Sequence, residues 1–182
     1  ARRQRQMCIR DRLLGIQSGN KYSSNFCFCM IMEKENMIQF RLDHIEELAY
    51  TLNLNGVSED INGENLGIQF IAQTFINEGD RQVKLRIGTK YNLAETNILG
   101  LELMFVFRID NMARFVIIDK NNNRLNFKAD LIPTFLNVAI GGLRGVLYEK
   151  TKGSVLSKYP LPLVDMRDVM KWNTFHVEPP TE

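Results

Sequence analysis

Apolar and polar positions alternate through most of the first half of this chain. Ile38, Phe40 and Leu42 alternate with Gln39 and Arg41, so Met37 to Leu42 reads as a half-buried strand. From Ile45 to Leu54 the pattern continues but is broken, as expected if the same strand resumes after a bulge. Asn55 to Asn65 is a polar connection containing Gly56 and Gly63. Leu66 to Ile76 carries Ile68, Phe70, Ala72, Thr74 and Ile76 at period two, and Asn77-Glu78-Gly79-Asp80 is turn chemistry. Arg81 to Tyr91 alternates Val83, Leu85, Ile87, Thr89 and Tyr91 with Gln82, Lys84, Arg86 and Lys90, which predicts a hairpin with one wet face. After a turn at Asn92 to Thr96, Asn97 to Ile109 is apolar on both faces, because Met104 and Val106 join the series Leu99 to Ile109. Met112 to Ile118 fits neither period cleanly, and Asp119 to Arg124 is a polar loop.

Helical spacing follows the strands. Asp130 is a suitable N-cap and Pro133 suits a first helical turn. Leu131, Ile132, Phe135, Val138, Ala139, Leu143, Val146 and Leu147 then fall on helical positions. Gly141, Gly142 and Gly145 weaken such a helix by about 1 kcal/mol each relative to Ala, which points to close approach of another backbone. With Phe135 they are the expected oligomer interface. Lys150, Lys152 and Gly153 close the helix. Tyr159 to Val164 is extended around Pro160 and Pro162, and Asp165 caps a short last helix, Met166 to Trp172. A loose tail is expected over 173–182. Strands first and helices last predicts an α+β domain, a four-stranded antiparallel sheet with a long and a short C-terminal helix on one face.

The chain has 182 residues, 45% of them hydrophobic and 24% charged, and a net charge of +2. Its length suits one domain, and the composition excludes a disordered tail, a collagen or a disulfide scaffold. No apolar run approaches the roughly 18–20 residues of a membrane span. The basic excess is concentrated at the N-terminus. Residues 2 to 12 resemble the translation of a transposase sequencing-library adapter, which marks 1–12 as an artefact of metagenomic assembly. They hold five Arg and one Asp, so the remainder has 18 basic and 20 acidic residues and a net charge of −2. A nucleic-acid partner is therefore not expected. Leu13 to Ile31 lacks the basic start and small-residue cleavage site of a signal peptide, and reads as translated upstream sequence or disorder. Met32 is the favoured start, 32–172 the domain.

Catalytic chemistry is hard to assemble from these residues. Beyond the adapter region there are two histidines, His44 beside a strand and His176 in the tail. Cys27 and Cys29 form a C-x-C pair with no further ligands nearby. No phosphate-binding loop, nucleophile elbow or zinc motif occurs. The carboxylates Glu46 with Glu47, and Asp165 with Asp168, fit solvated faces and caps better than acid–base catalysis. An RNA-binding sheet would need aromatics beside Lys84, Arg86 and Lys90, and only Tyr91 is near. The expectation is a non-enzyme without cofactor or metal.

The order of elements resembles the SecB family of export chaperones, as do several local patterns. These are Leu131-Ile132-Pro133-Thr134-Phe135 opening the helix, Arg144-Gly145-Val146-Leu147 within it and Thr151-Lys152-Gly153-Ser154 closing it. The segment Pro160-Leu161-Pro162-Leu163-Val164-Asp165 continues the resemblance, which covers Met37 to about Met170 and is nearest to divergent Bacteroidetes-type members. It implies a Greek-key-like sheet, a cytoplasmic homo-oligomer built as dimer or tetramer, and ATP-independent binding of unfolded polypeptides in apolar grooves. It also implies the translocase motor as partner, with no membrane or nucleic-acid partner. Two departures stand against the motor: the basic face of Lys84, Arg86 and Lys90, and the lack of an acidic C-terminal tail.

Two functions follow: a general holdase, or a dedicated single-partner adaptor on the same fold, such as a toxin–antitoxin-associated chaperone. The many Phe and Met side chains suit an adaptable apolar surface. Tyr159, Leu161, Leu163, Val164 and Met166, between the two helices, are the expected client-binding residues.

Overall fold

The computed structural model describes residues 29–31, 38–55, 57, 61, 65–119, 124–127 and 131–178. The expectations for residues 1–28, for Met32 and for the Asp130 cap lie outside them. A short strand β1 (Cys29–Ile31) precedes the long strands β2 (Ile38–Leu52), β3 (Leu66–Asn77), β4 (Gln82–Leu93) and β5 (Thr96–Ile109). A helical turn α1 (Met112–Phe115) leads into a small hairpin of β6 (Val116–Asp119) and β7 (Arg124–Phe127). The helix α2 (Ile132–Thr151), a 3-10 turn (Val155–Lys158), the helix α3 (Met166–Trp172) and the strand β8 (Thr174–Glu178) complete the chain.

The main sheet has the order β1-β2-β5-β4-β3-β8. Its four long strands are antiparallel. Hairpins join β3, β4 and β5, while β2 reaches its place beside β5 by the long 53–65 connection, a Greek-key arrangement. The α+β class holds. The sheet is wider than the four strands expected, because a short strand is added at each edge.

Both additions fall where the sequence reading expected no structure. Cys29–Ile31 pairs antiparallel with Ile38–Phe40. Thr174–Glu178 pairs parallel with Gln73–Asn77, so the expected loose tail is corrected over these residues. The side chain of Asn173 anchors this strand, donating to Thr74 Oγ1 at 2.8 Å where both residues are buried. Aromatic rings support it further: Phe175 lies 5.2 Å from Phe127, which lies 5.6 Å from Phe115.

The core lies between the sheet and α2. Period two puts Val83, Leu85, Ile87, Leu101, Leu103, Phe105 and Phe107 on the helix side, and all are buried. Phe135 drops from α2 into their midst, stacked on Phe107 at 4.4 Å and edge-on to Phe40 at 4.9 Å. The opposite face is polar but not the bare basic surface expected. Lys84 pairs with Glu178 at 2.7 Å, and Arg86 with Glu102 at 2.5 Å.

The three helix glycines do not form one contact surface. A Cβ on Gly142 would sit 2.6 Å from the Phe105 ring of the same chain, whereas nothing lies within 4 Å of one on Gly141 or Gly145. Gly142 and Phe135 therefore serve packing within the protomer, a correction to their expected role in an oligomer interface. It is this chain's own ring, not another backbone, that requires Gly142. Gly142→Ala should lose about 1–3 kcal/mol through overpacking. Gly141→Ala should gain up to about 1 kcal/mol through helix propensity. Urea unfolding of the two variants checks the opposite signs.

Candidate functional site

The segment between α2 and α3 is built into the fold more firmly than its sequence suggests. The Tyr91 hydroxyl rises from the sheet and donates to the Tyr159 carbonyl at 2.9 Å. The Tyr159 hydroxyl in turn donates to the Ile61 carbonyl, and Arg144 Nη2 of α2 donates to the Pro162 carbonyl at 2.9 Å. At the far end Asp165 caps α3 by accepting from the Arg167 amide, and the same arginine's side chain holds its carboxyl below the usual carboxylate range.

These anchors separate the five expected client-binding residues. Leu161 is only 4% exposed and belongs to the core, so it is withdrawn from the client surface. Tyr159, Val164 and Met166 are half-buried and pack against the core. Leu163 alone stands out, 92% exposed. The pattern Leu-Pro-Leu carried no signal that its first leucine points inward and its second outward; the Tyr159 and Arg144 anchors decide it.

Burial pushes the Tyr91 phenol up to about 12. An acid raised above its unfolded value near 10 favours the folded state below that value and loses the contribution as pH climbs through the folded one. Tyr91 should thus contribute a fall in stability between about pH 10 and 12. Tyr91→Phe should lack this part of the fall, measured as unfolding free energy across alkaline pH.

A second apolar surface lies on β2. Two bulges, at Asp43 and Leu48, interrupt its pairing with β5. Between and beyond them Ile45 is 47% exposed, Leu48 39% and Leu52 38%. Ile45 is the cross-strand partner of Phe105, whose buried ring packs under Gly142, so Ile45 lies on the α2 side of the sheet. Further along β2, Lys150 Nζ of α2 lies 2.9 Å from the Glu47 carboxylate and 4.5 Å from the centre of the Tyr50 ring.

Beside these side chains the backbone is open. Strand β1 covers β2 only at Ile38 to Phe40, and among the described residues no strand pairs with Arg41 to Leu52 on the edge away from β5. An edge with free N–H and C=O groups beside apolar side chains is a template for an extended chain. Sequence reasoning missed Ile45, Leu48 and Leu52. The broken alternation after Leu42 was the available signal, and it marked the bulges without revealing that the strand lies at an edge.

Among the described residues no three His, Cys, Asp or Glu side chains come together as a metal-binding group, and no helix is long and apolar enough to cross a membrane. No protein-family model matches the chain, and no curated protein matches it significantly.

Proposed function

We propose that this protein is an ATP-independent holdase of SecB-like fold that binds unfolded polypeptides, with protein export as a cytoplasmic setting for that activity. The observation that carries the proposal is the edge of β2 from Arg41 to Leu52, with which no strand pairs among the described residues on the side away from β5, and along which Ile45, Leu48 and Leu52 are exposed. An unfolded client would supply an extended main chain for the edge's hydrogen bonds and apolar side chains to cover Ile45, Leu48 and Leu52. The bulges and the acidic pair Glu46-Glu47 keep the edge from pairing without limit, since bulges and inserted charge discourage edge-to-edge aggregation. Leu163, 92% exposed, is a further apolar side chain open to a client. Gly141 and Gly145, exposed with Val138 and Tyr148 on the outer side of α2, are where a second copy would approach to form the homo-oligomer.

The test is aggregation suppression by the full chain without ATP. A chemically unfolded, unrelated protein is diluted into buffer, and light scattering is followed with and without the chaperone. Suppression near stoichiometric amounts is expected for several clients. No suppression of any client would overturn the general holdase and leave the dedicated single-partner adaptor.

A further inference from the structure

On the polar face of the sheet, at the end marked by the β3–β4 turn, lies a pocket of about 450 Å³. It is lined by Arg41 from β2, Arg81 from the turn and Arg108 from β5, together with Asp80 and Asp110. Three features of this pocket are not explained by packing alone. Arg41 and Arg108 are directly opposed on neighbouring antiparallel strands, a placement in which like charges repel. Asp43, the extra residue of the first bulge, reaches both, at 3.6 Å from Arg41 Nε and 3.3 Å from Arg108 Nη2, but one carboxylate serves two guanidiniums. The Arg108 Nε is buried without a hydrogen-bond partner among the described residues.

The third feature is Arg81. It adopts a left-handed backbone, φ 55°, which long L side chains seldom take, although the turn has a glycine two residues earlier. Its backbone is fixed there by its own N–H, which donates a hydrogen bond to the Glu78 carbonyl at 3.3 Å, and by the Ile109 N–H, which donates to its carbonyl at 2.9 Å. Its guanidinium makes no ion pair among the described residues. A strained residue with an unspent charge at a pocket wall is the kind of departure that marks a binding site.

We propose that this pocket binds a phosphomonoester whose organic part carries hydroxyl or amino groups. Arginines from three separate elements line one cavity, and three cationic side chains suit an anion with three peripheral oxygens better than a two-oxygen carboxylate. The cavity is within the range that holds a small organic molecule. Asp110 on the same lining provides an acceptor for hydroxyl or amino donors of the organic part, while the Asp80 carboxylate already accepts from Asn77 Nδ2 at 2.8 Å. The site takes only Arg41 from β2, none of the exposed apolar residues Ile45, Leu48 and Leu52, and does not depend on the holdase reading.

Nuclear magnetic resonance titration of the full chain at constant ionic strength tests this, with inorganic phosphate, ribose 5-phosphate, acetate and chloride as separate probes. Phosphate should give saturable shifts at the amides of the 78–82 turn, and ribose 5-phosphate should bind more tightly. Acetate and chloride should give neither. Arg81→Gly removes the charge while suiting the left-handed backbone, so it should fold and bind roughly tenfold more weakly. Arg41→Gln relieves the opposed pair and should also weaken binding. The proposal is overturned if phosphate fails to saturate below about 20 mM, a range covering even weak specific affinity. Equal binding by folded Arg81→Gly, or equal shifts with acetate and chloride, would overturn it as well.

Discussion

Phe135→Ala should be the most damaging single substitution in the core, lowering stability by about 3–5 kcal/mol. The ring is fully buried, and it touches Phe107 at 4.4 Å and Phe40 at 4.9 Å, with Phe115 6.1 Å away. Through these neighbours it joins β2, β5, α1 and α2, so its removal leaves a cavity that no single element can collapse into. Each aromatic pair adds roughly 0.5–1.5 kcal/mol beyond area burial, which puts the loss toward the upper end. For a domain whose whole stability is about 5–15 kcal/mol, that is a large share. Urea unfolding should show a lower midpoint at unchanged slope. Leu163→Ser, at a side chain almost wholly in solvent, should stay within about 0.5 kcal/mol of the parent. A loss below 1 kcal/mol for Phe135→Ala would show that the aromatic cluster is not the centre of the core.

The contrast between Phe135 and Leu163 shows what the sequence could and could not convey. Alternation over Leu66 to Ile109 was enough to place three long strands and their wet face, because a period of two is a local property. The bulges in β2 left a trace in the same way. Strand order, in contrast, depends on pairings between distant residues. The buried hydrogen bond from Asn173 to Thr74 spans 99 positions, and no local pattern announces it. Thr174 to Glu178 accordingly reads as a polar tail near two prolines until β3 is seen beside it. Phe135 was expected at an oligomer interface for a related reason: helical spacing identifies an apolar face but not whether the chain's own sheet covers it. The candidate site was least legible because its defining property is an absence, the lack among the described residues of a strand paired with β2 beyond Phe40 on the edge away from β5.

That missing neighbour leads to the prediction with the largest expected effect on binding. Ile45→Lys with Leu48→Lys should leave stability nearly unchanged, since both side chains are already substantially exposed and Glu46 and Glu47 lie between them. A client that buries the exposed part of each gains on the order of 1 kcal/mol per side chain. Losing both is worth roughly 2 kcal/mol, or about 30-fold in affinity. The added charges also raise the cost of desolvating the edge when an extended segment pairs with it. Fluorescence anisotropy of a labelled unfolded polypeptide should therefore show much weaker binding to the double variant, with a thermal midpoint close to that of the parent. Leu163→Lys changes the most exposed apolar side chain among the described residues and should weaken binding far less, because the backbone near it is held by Tyr91 and Arg144 rather than open. The reverse ranking, with Leu163→Lys severe and the β2 variant silent, would move the client site from the sheet edge to the segment between the helices. Equal and small effects from both would remove apolar capture by either surface as the source of binding.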